Sequence, residues 1–340
     1  MSSLLRTTTA VPGLGLALLL LAPALTARAQ ELPASCVEES REAMGCTATV
    51  RACGPGRPEL PAIVGAALDE IDRIDRLMSH YRRDSPLSQL NREAASGPVA
   101  VEPELLELLD VCLRWSRESD GAFDVTVGPL MKTWGFFRDE GRVPGPQELA
   151  RALAVVGYRH VVLDREAGSV RFDRAGVELD LGGIGKGYAV DRVVDLLRRR
   201  GVASALVNLG GSSVHGLGAP PGREAWDVGI QDPTDPAKTA LTVSLRDRAL
   251  SVSGGYARFF ERDGVTYAHI MDPRTGRPVQ GVLSVAVLTE GATDGDALDN
   301  VLFVLGLEAG RAPLSRVPGA EALVLLPKPG GRWSLVRVGP

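Results

Sequence analysis

Four glycines set around one lysine, in Asp180-Leu181-Gly182-Gly183-Ile184-Gly185-Lys186-Gly187-Tyr188, narrow most what this chain can fold into. An apolar, strand-like approach runs into the glycines. A helical pattern follows over Tyr188–Arg200. Glycine allows a sharp turn at that junction, and the helix start leaves backbone N–H groups without intrahelical partners. Such groups, with a cation beside them, suit an anion. The stretch is not a Walker A loop, because Gly187 follows Lys186 and Asp180 stands five places before Gly185. It is not a dinucleotide fingerprint either, since no third glycine falls at the required place. A plain strand-to-helix turn needs some glycine, but four around a lysine exceed that need. We read the loop as an anion cradle.

A second stretch, Tyr267-Ala-His-Ile-Met-Asp-Pro-Arg-Thr-Gly-Arg-Pro278, joins a histidine to turn chemistry. Imidazole moves protons near neutral pH. Asp272-Pro273-Arg274-Thr275-Gly276 is turn-forming, because Pro presets φ and Gly accepts positive φ. On these residues alone, a catalytic rim and an ordinary hairpin are equally good readings.

The elements around these stretches argue for an α+β fold with mixed or antiparallel sheets and flanking helices. Strands are expected at Met44–Ala52, Asp124–Leu130, Val177–Leu181, Ala203–Leu209, Leu283–Leu288 and in a C-terminal hairpin. Ile63, Ala67, Leu68, Ile71, Ile74, Leu77 and Met78 recur at helical spacing, so a helix is expected over Leu60–Tyr81. A second helix carries Leu105, Leu109, Cys112 and Trp115 on one face, which makes Cys112 a buried thiol. A last long helix spans 291–306. With 44% hydrophobic and 24% charged residues, the composition is that of a globular domain. The net charge of −4 carries no basic footprint for nucleic acid.

Arg6, the apolar run 14–21 and Ala27-Arg28-Ala29 form the pattern of a signal peptide over residues 1–29. That apolar run is short of the roughly 20 residues that span a bilayer. Residues 30–42 read as a flexible leader, and 43–340 as one domain. Export implies an oxidising compartment, and one disulfide among Cys36, Cys46 and Cys53 is expected without a fixed pairing.

The last helix begins with Asp294, Asp296, Asp299 and Asn300. Asp296 and Asn300 are four apart and point from one helix face. Two oxygen-bearing side chains at that spacing suit Mg²⁺, which takes one or two carboxylates plus substrate phosphates. Asp294 reads as a helix cap instead. Metal, cation, anion cradle and His269 together make a phosphoryl-transfer site.

Several blocks in order resemble the ApbE family of FAD:protein FMN transferases. They are Met44-Gly45, Met78-Ser-His-Tyr81 with Asp84-Ser-Pro-Leu-Ser88 and Asn91, Asp124–Leu130 with Trp134-Gly-Phe136, Asp180–Tyr188, Ser253-Gly254, His269–Pro278 and Asp296-Ala-Leu298. The resemblance runs from about Met44 to the C-terminal hairpin. It implies a two-lobed fold around FAD, and an Mg²⁺-dependent reaction in which FMN is joined through its phosphate to a Thr or Ser hydroxyl and AMP leaves. Carried over by position, it implies that Met44, Tyr81, Ser85, Leu87, Asp124, Lys186 and Ile270 line the FAD site. It likewise implies that Asp296 and the Gly183 carbonyl hold the metal, and that His269 is the base. The implied acceptor is a protein of an exported or membrane-bound redox complex, which would place this chain in the periplasm or on the outer face of the cytoplasmic membrane. Asn300 stands where the family usually has Thr, and an amide oxygen can also ligate Mg²⁺. Cys46, Val252, Gly255 and Gly185 are further departures from the family pattern. The competing readings are an FAD pyrophosphatase giving FMN and AMP, and an FAD-binding protein without turnover.

Overall fold

Met44 and Gly45 both adopt positive φ, 50° and 71°, and turn the chain between two strands, β1 (Ala34–Ala43) and β2 (Cys46–Pro55). Two successive positive-φ residues match the right-handed twist of a tight hairpin. The computed structural model describes residues 34–339. The expected signal peptide lies outside them. The flexible-leader reading of 30–42 is corrected from residue 34 onward, because Ala34–Ala43 pairs residue for residue with Cys46–Pro55. Its polar composition belongs to an edge strand with solvent on one side. Cys36 faces Cys53 in that register and is disulfide-bonded to it, leaving Cys46 and Cys112 as free thiols. Cys112 is fully buried, which pushes its thiol pKa far up.

The hairpin opens an eight-stranded sheet. Numbering only the strands of this sheet, the others are β3 (Ser204–Leu209), β4 (Ser213–Leu217), β5 (Arg248–Gly254), β6 (Ser284–Thr289), β7 (Glu321–Lys328) and β8 (Arg332–Val338). Every neighbouring pair is antiparallel and spatial order follows chain order. The α+β expectation holds, with no parallel pair in the sheet.

The helices are α1 (Leu60–Met78), α2 (Pro86–Glu93), α3 (Pro103–Glu118), α4 (Gly128–Thr133), α5 (Pro146–Leu153), α6 (Gly185–Arg199) and α7 (Ala292–Ser315). One face of the sheet packs on helices. Ala48, Val50 and Ala52 of β2, and Ala205, Val207 and Leu209 of β3, join Ile71 and Ile74 of α1, Val193 and Leu197 of α6, and Leu298 and Val301 of α7 in one core. Each fully buried Val, Leu or Ile stabilises by about 1.5–3 kcal/mol. The opposite face, at Val214, Leu250, Ala286 and Leu323, is covered by Trp226, Ile230 and Leu245 of a separate hairpin. A smaller core of Leu130, Trp134, Phe136, Leu149, Ala152 and Met271 builds a second lobe from α4, α5 and the chain after β5.

Two expected strands are not strands. Asp124–Leu130 is a turn leading into α4. The Asp124 carboxylate accepts from Thr126 N at 2.9 Å and Tyr158 N at 2.6 Å, so side-chain bonds replace a ladder. Val177–Leu181 joins no strand ladder; Asn91 takes both backbone groups of Leu179. The last helix also runs past Gly306, whose φ of 73° kinks it, as far as Ser315.

His215 of β4 faces the helix layer, with Arg198 and Asp195 of α6 and Asp247 nearby. Neither ring nitrogen has a hydrogen-bond partner among the described residues. Burial, then Arg198, pushes its pKa down from 6.5 to about 4. The unfolded chain therefore binds the extra proton first on acidification. The neutral-His stability is complete above pH 6.5 and is lost as pH falls towards about 4. Urea unfolding at pH 7.5 and 5 tests this. His215→Leu should lose about 2 kcal/mol less than the parent over that interval. Equal losses would contradict the assignment.

Candidate functional site

α6 and α7 cap each other. Asp191, on α6, accepts from Ala292 N and Thr293 N, both at 2.8 Å, and from the Thr293 hydroxyl. Asp296, on α7, returns the interaction: Oδ2 accepts from Gly187 N at 2.6 Å in the first turn of α6. Asp296 Oδ1 accepts from Ser213 Oγ at 2.7 Å, which ties in β4. Free helix-start N–H groups and the positive end of each helix dipole favour a carboxylate there. The helices approach so closely that a Cβ on Gly187 would lie 2.2 Å from Ala292 O and 2.8 Å from Asp296 Cγ.

This arrangement corrects the anion-cradle expectation. Gly182 N donates to Asp180 Oδ1, and Ile184 N and Gly185 N donate to Leu181 O. Gly187 N is taken by Asp296. The anion at the start of α6 is thus the protein's own carboxylate. Lys186 remains as the cation; its Nζ donates to Ser212 Oγ, and its charge reaches Asp296, Asp299 and His269.

The three expected metal-holding residues come together, with a particular polarity. Asn300 Nδ2 lies 3.2 Å from Gly183 O, 2.9 Å from Asp296 O and 2.9 Å from Asp299 Oδ1. Three acceptors around one amide group require that the nitrogen, not the oxygen, face them. Asp299 also accepts from Ser253 Oγ at 2.9 Å. Burial raises the pKa of both Asp296 and Asp299, and their mutual repulsion raises that of Asp299 further. Two buried carboxylates beside one lysine leave an excess of negative charge that suits a divalent cation. Among the described residues, no three His, Cys, Asp or Glu side chains gather as a metal cluster. The oxygens at this junction that could hold a hard divalent ion are the Asp296 and Asp299 carboxylates and the Gly183 carbonyl. Asp294 stands apart, bonded to Trp115 Nε1 and Arg114.

His269 follows a hairpin of Phe259–Arg262 and Val265–Ala268. Its backbone N donates to Arg258 O at 3.0 Å, and its ring Nδ1 lies 3.2 Å from the same carbonyl. A carbonyl only accepts, so Nδ1 carries the proton and Nε2 keeps its lone pair. Burial, then the Arg258 charge, lowers the His269 pKa to about 4. Asp272–Pro278 braces this strand end: Gly276 O accepts from Trp134 Nε1 at 2.8 Å. Gly276 has φ 67°, and a Cβ there would lie 3.0 Å from Leu149.

The residues expected at FAD divide into two groups. Tyr81 is exposed, and Met44 and Lys186 are half-buried. Tyr81 stacks on Phe137 with centroids 5.0 Å apart. Met44 and Met78 both lie over Gly185. Ser85, Leu87, Asp124 and Ile270 are buried. Ser85 caps α2 by accepting from Ser88 N, Leu87 belongs to the main core, and Asp124 holds the 124–126 turn. Sequence reasoning missed Ser213 and Arg258, and gave no site role to Ser253 or Phe137. Their signals were slight: a serine after Gly210-Gly211, a serine at a strand end, and an Arg and a Phe without spacing partners.

A family model described as the ApbE family matches residues 44–324. The chain belongs to this family. It is 41% identical over 285 residues to the FAD:protein FMN transferase of Treponema pallidum, covering 78% of each chain. To the same-named protein of Vibrio cholerae it is 35% identical over 292 residues, covering 83% of this chain and 85% of that one. The crystal structure of the ApbE protein of Thermotoga maritima superposes with a TM-score of 0.79 at 33% identity, covering 88% of this chain and 96% of that one. The flavin transferase ApbE of Vibrio cholerae also superposes at 0.79.

The close approach at Gly187 carries a test. Gly187→Ala should cost about 1–3 kcal/mol by overpacking. Gly65→Ala, mid-helix in α1 with open space at its Cβ, should gain roughly 0.5–1 kcal/mol. Equal denaturation midpoints for the two variants would refute the close packing of α6 on α7.

Proposed function

We propose that this protein transfers FMN from FAD to a Thr or Ser hydroxyl of an acceptor protein, in an Mg²⁺-dependent reaction that releases AMP. The observation that carries the reading is the state of His269: neutral at physiological pH, its proton fixed on Nδ1 by Arg258 O, and Nε2 free to accept. The acceptor hydroxyl gives its proton to Nε2 as its oxygen attacks the FMN phosphorus. The bond from that phosphorus to the AMP oxygen breaks. Lys186 stabilises negative charge on the diphosphate and on departing AMP. Tyr81, stacked on Phe137, offers an aromatic face to a flavin or adenine ring. Gly183 O and Asp296 would hold the Mg²⁺, with the Asn300 and Asp299 side chains beside them; when bound, the ion supplies Lewis-acid stabilisation of the phosphates.

The names of the relatives support the transferase reading. We place the protein outside the cytoplasm, acting on exported or membrane-bound redox proteins. The signal-like segment over residues 1–29 and the Cys36–Cys53 disulfide support export. Among the described residues no helix is long and apolar enough to cross a membrane.

Incubation with FAD, Mg²⁺ and a purified acceptor, read by mass spectrometry, tests the activity. One FMN adduct per acceptor is expected; FMN and AMP without adduct would indicate a pyrophosphatase. His269→Ala should lower the transfer rate by about 10²–10⁴-fold while FAD still binds. An undiminished rate in this variant would remove His269 from the role of base.

A further inference from the structure

We propose that Arg258 is the positioning residue of this site: its backbone oxygen directs the His269 proton, and its guanidinium ties the strand bearing that base to the Tyr81–Phe137 ring stack. The proposal deepens the transferase reading and rests on His269 as its base.

Arg258 stands directly before the Phe259–Arg262 strand, opposite His269. One carbonyl serves the histidine twice: Arg258 O accepts from His269 N at 3.0 Å and faces ring Nδ1 at 3.2 Å. The side chain of the same residue reaches three other groups. Nη2 donates to Phe136 O and to Asp139 Oδ1, and Nη1 lies 3.5 Å from Tyr81 Oη. Asp139 is 80% exposed, so its ion pair with Arg258 is screened by water. Phe136 is buried in the small aromatic core, and the bond to its carbonyl is the one that fixes the guanidinium. Tyr81 follows α1, whose apolar face lies in the main core. The guanidinium therefore holds the ring stack at both members, by the Tyr81 hydroxyl and by the carbonyl that precedes Phe137. A planar fork of five N–H donors suits divergent acceptors at fixed angles. A lysine ammonium is a point charge on a flexible stem and would not hold them so.

Arg258 also acts by charge. A nearby cation disfavours imidazolium. The charged groups acting on His269 are Arg258 and Lys186, which lower its pKa, and Asp180, which raises it. Two cations against one carboxylate keep the base unprotonated. The two roles of Arg258 are separable by substitution. Arg258→Lys keeps the charge and loses the fork, whereas Arg258→Gln loses both.

Imidazole ¹⁵N NMR of the full chain, labelled at its four histidines, tests this without reference to activity. His269→Ala assigns the signals, and those of His80, His160 and His215 monitor folding. In the parent, His269 should hold the Nδ1–H tautomer and titrate at about 4. Arg258→Gln should move that midpoint up by about one pH unit and populate the Nε2–H tautomer. Arg258→Lys should keep the low midpoint and still populate Nε2–H. At pH 8, where the base is neutral in every variant, transfer should fall about tenfold or more in both, as a loss of kcat. A pure Nδ1–H tautomer with undiminished kcat in both variants would overturn the positioning role. An unshifted midpoint in Arg258→Gln would overturn the electrostatic one. The expected NMR signatures in a parent that forms no FMN adduct would overturn the transferase reading and leave the hold of Arg258 on His269 standing.

Discussion

The reciprocal capping of α6 and α7 is the interaction on which the rest of the site depends. Asp191 closes the start of α7 and Asp296 closes the start of α6. Asp296 is buried and Asp191 half-buried, and burial raises the pKa of each. Buried carboxylates are tolerated only with donors, and here backbone N–H groups at two helix starts supply them. The exchange fixes the distance between the helices. That distance in turn admits only glycine at position 187. Asp296 is thereby fixed beside Lys186, and the carbonyl of Gly183 is brought to Asn300. The site's charge pattern follows from helix packing, because the groups that carry it are also the groups that cap the helices.

His269 reaches this junction from the second lobe. It stands on a strand end braced by the Asp272–Gly276 turn and by Trp134, and its tautomer is set by Arg258 O. Arg258 fastens the same hairpin to the chain at Phe136 and Asp139. One side of the site is therefore built from helix starts on the large sheet, and the other from a small aromatic core. Lys186 and Asp180 act electrostatically on His269 across that boundary.

Most of this was legible in the sequence, for identifiable reasons. Helical periodicity marked α1 and α3, because each has one core-facing stripe. The strands at Ser204–Leu209 and Ser284–Thr289 were legible as apolar runs between turn signals. The glycines around Lys186 marked a constrained loop, and His269 and Asp296 stood in chemically telling surroundings. Readings failed where side chains replace backbone pairing, as Asn91 does at Leu179, or where a partner is distant in sequence. Asp124 uses its carboxylate to make a turn out of a β-prone run. The polar segment 34–42 becomes a strand because β2 offers it an edge. The glycine loop spends its N–H groups on the protein's own oxygens, with Gly187 N on Asp296, 109 residues away. The orientation of Asn300 is likewise set by oxygens from two separate segments, so no local pattern announces it.

The central claim is that the junction of the glycine loop with α7 is where a divalent ion meets FAD, within reach of His269. A crystal of the protein grown with FAD and Mn²⁺ tests it directly through anomalous scattering. A single Mn²⁺ peak bonded to Gly183 O and Asp296, with the FAD diphosphate between it and His269 Nε2, is the expected result. An Mn²⁺ peak elsewhere, or a diphosphate far from His269, would contradict it.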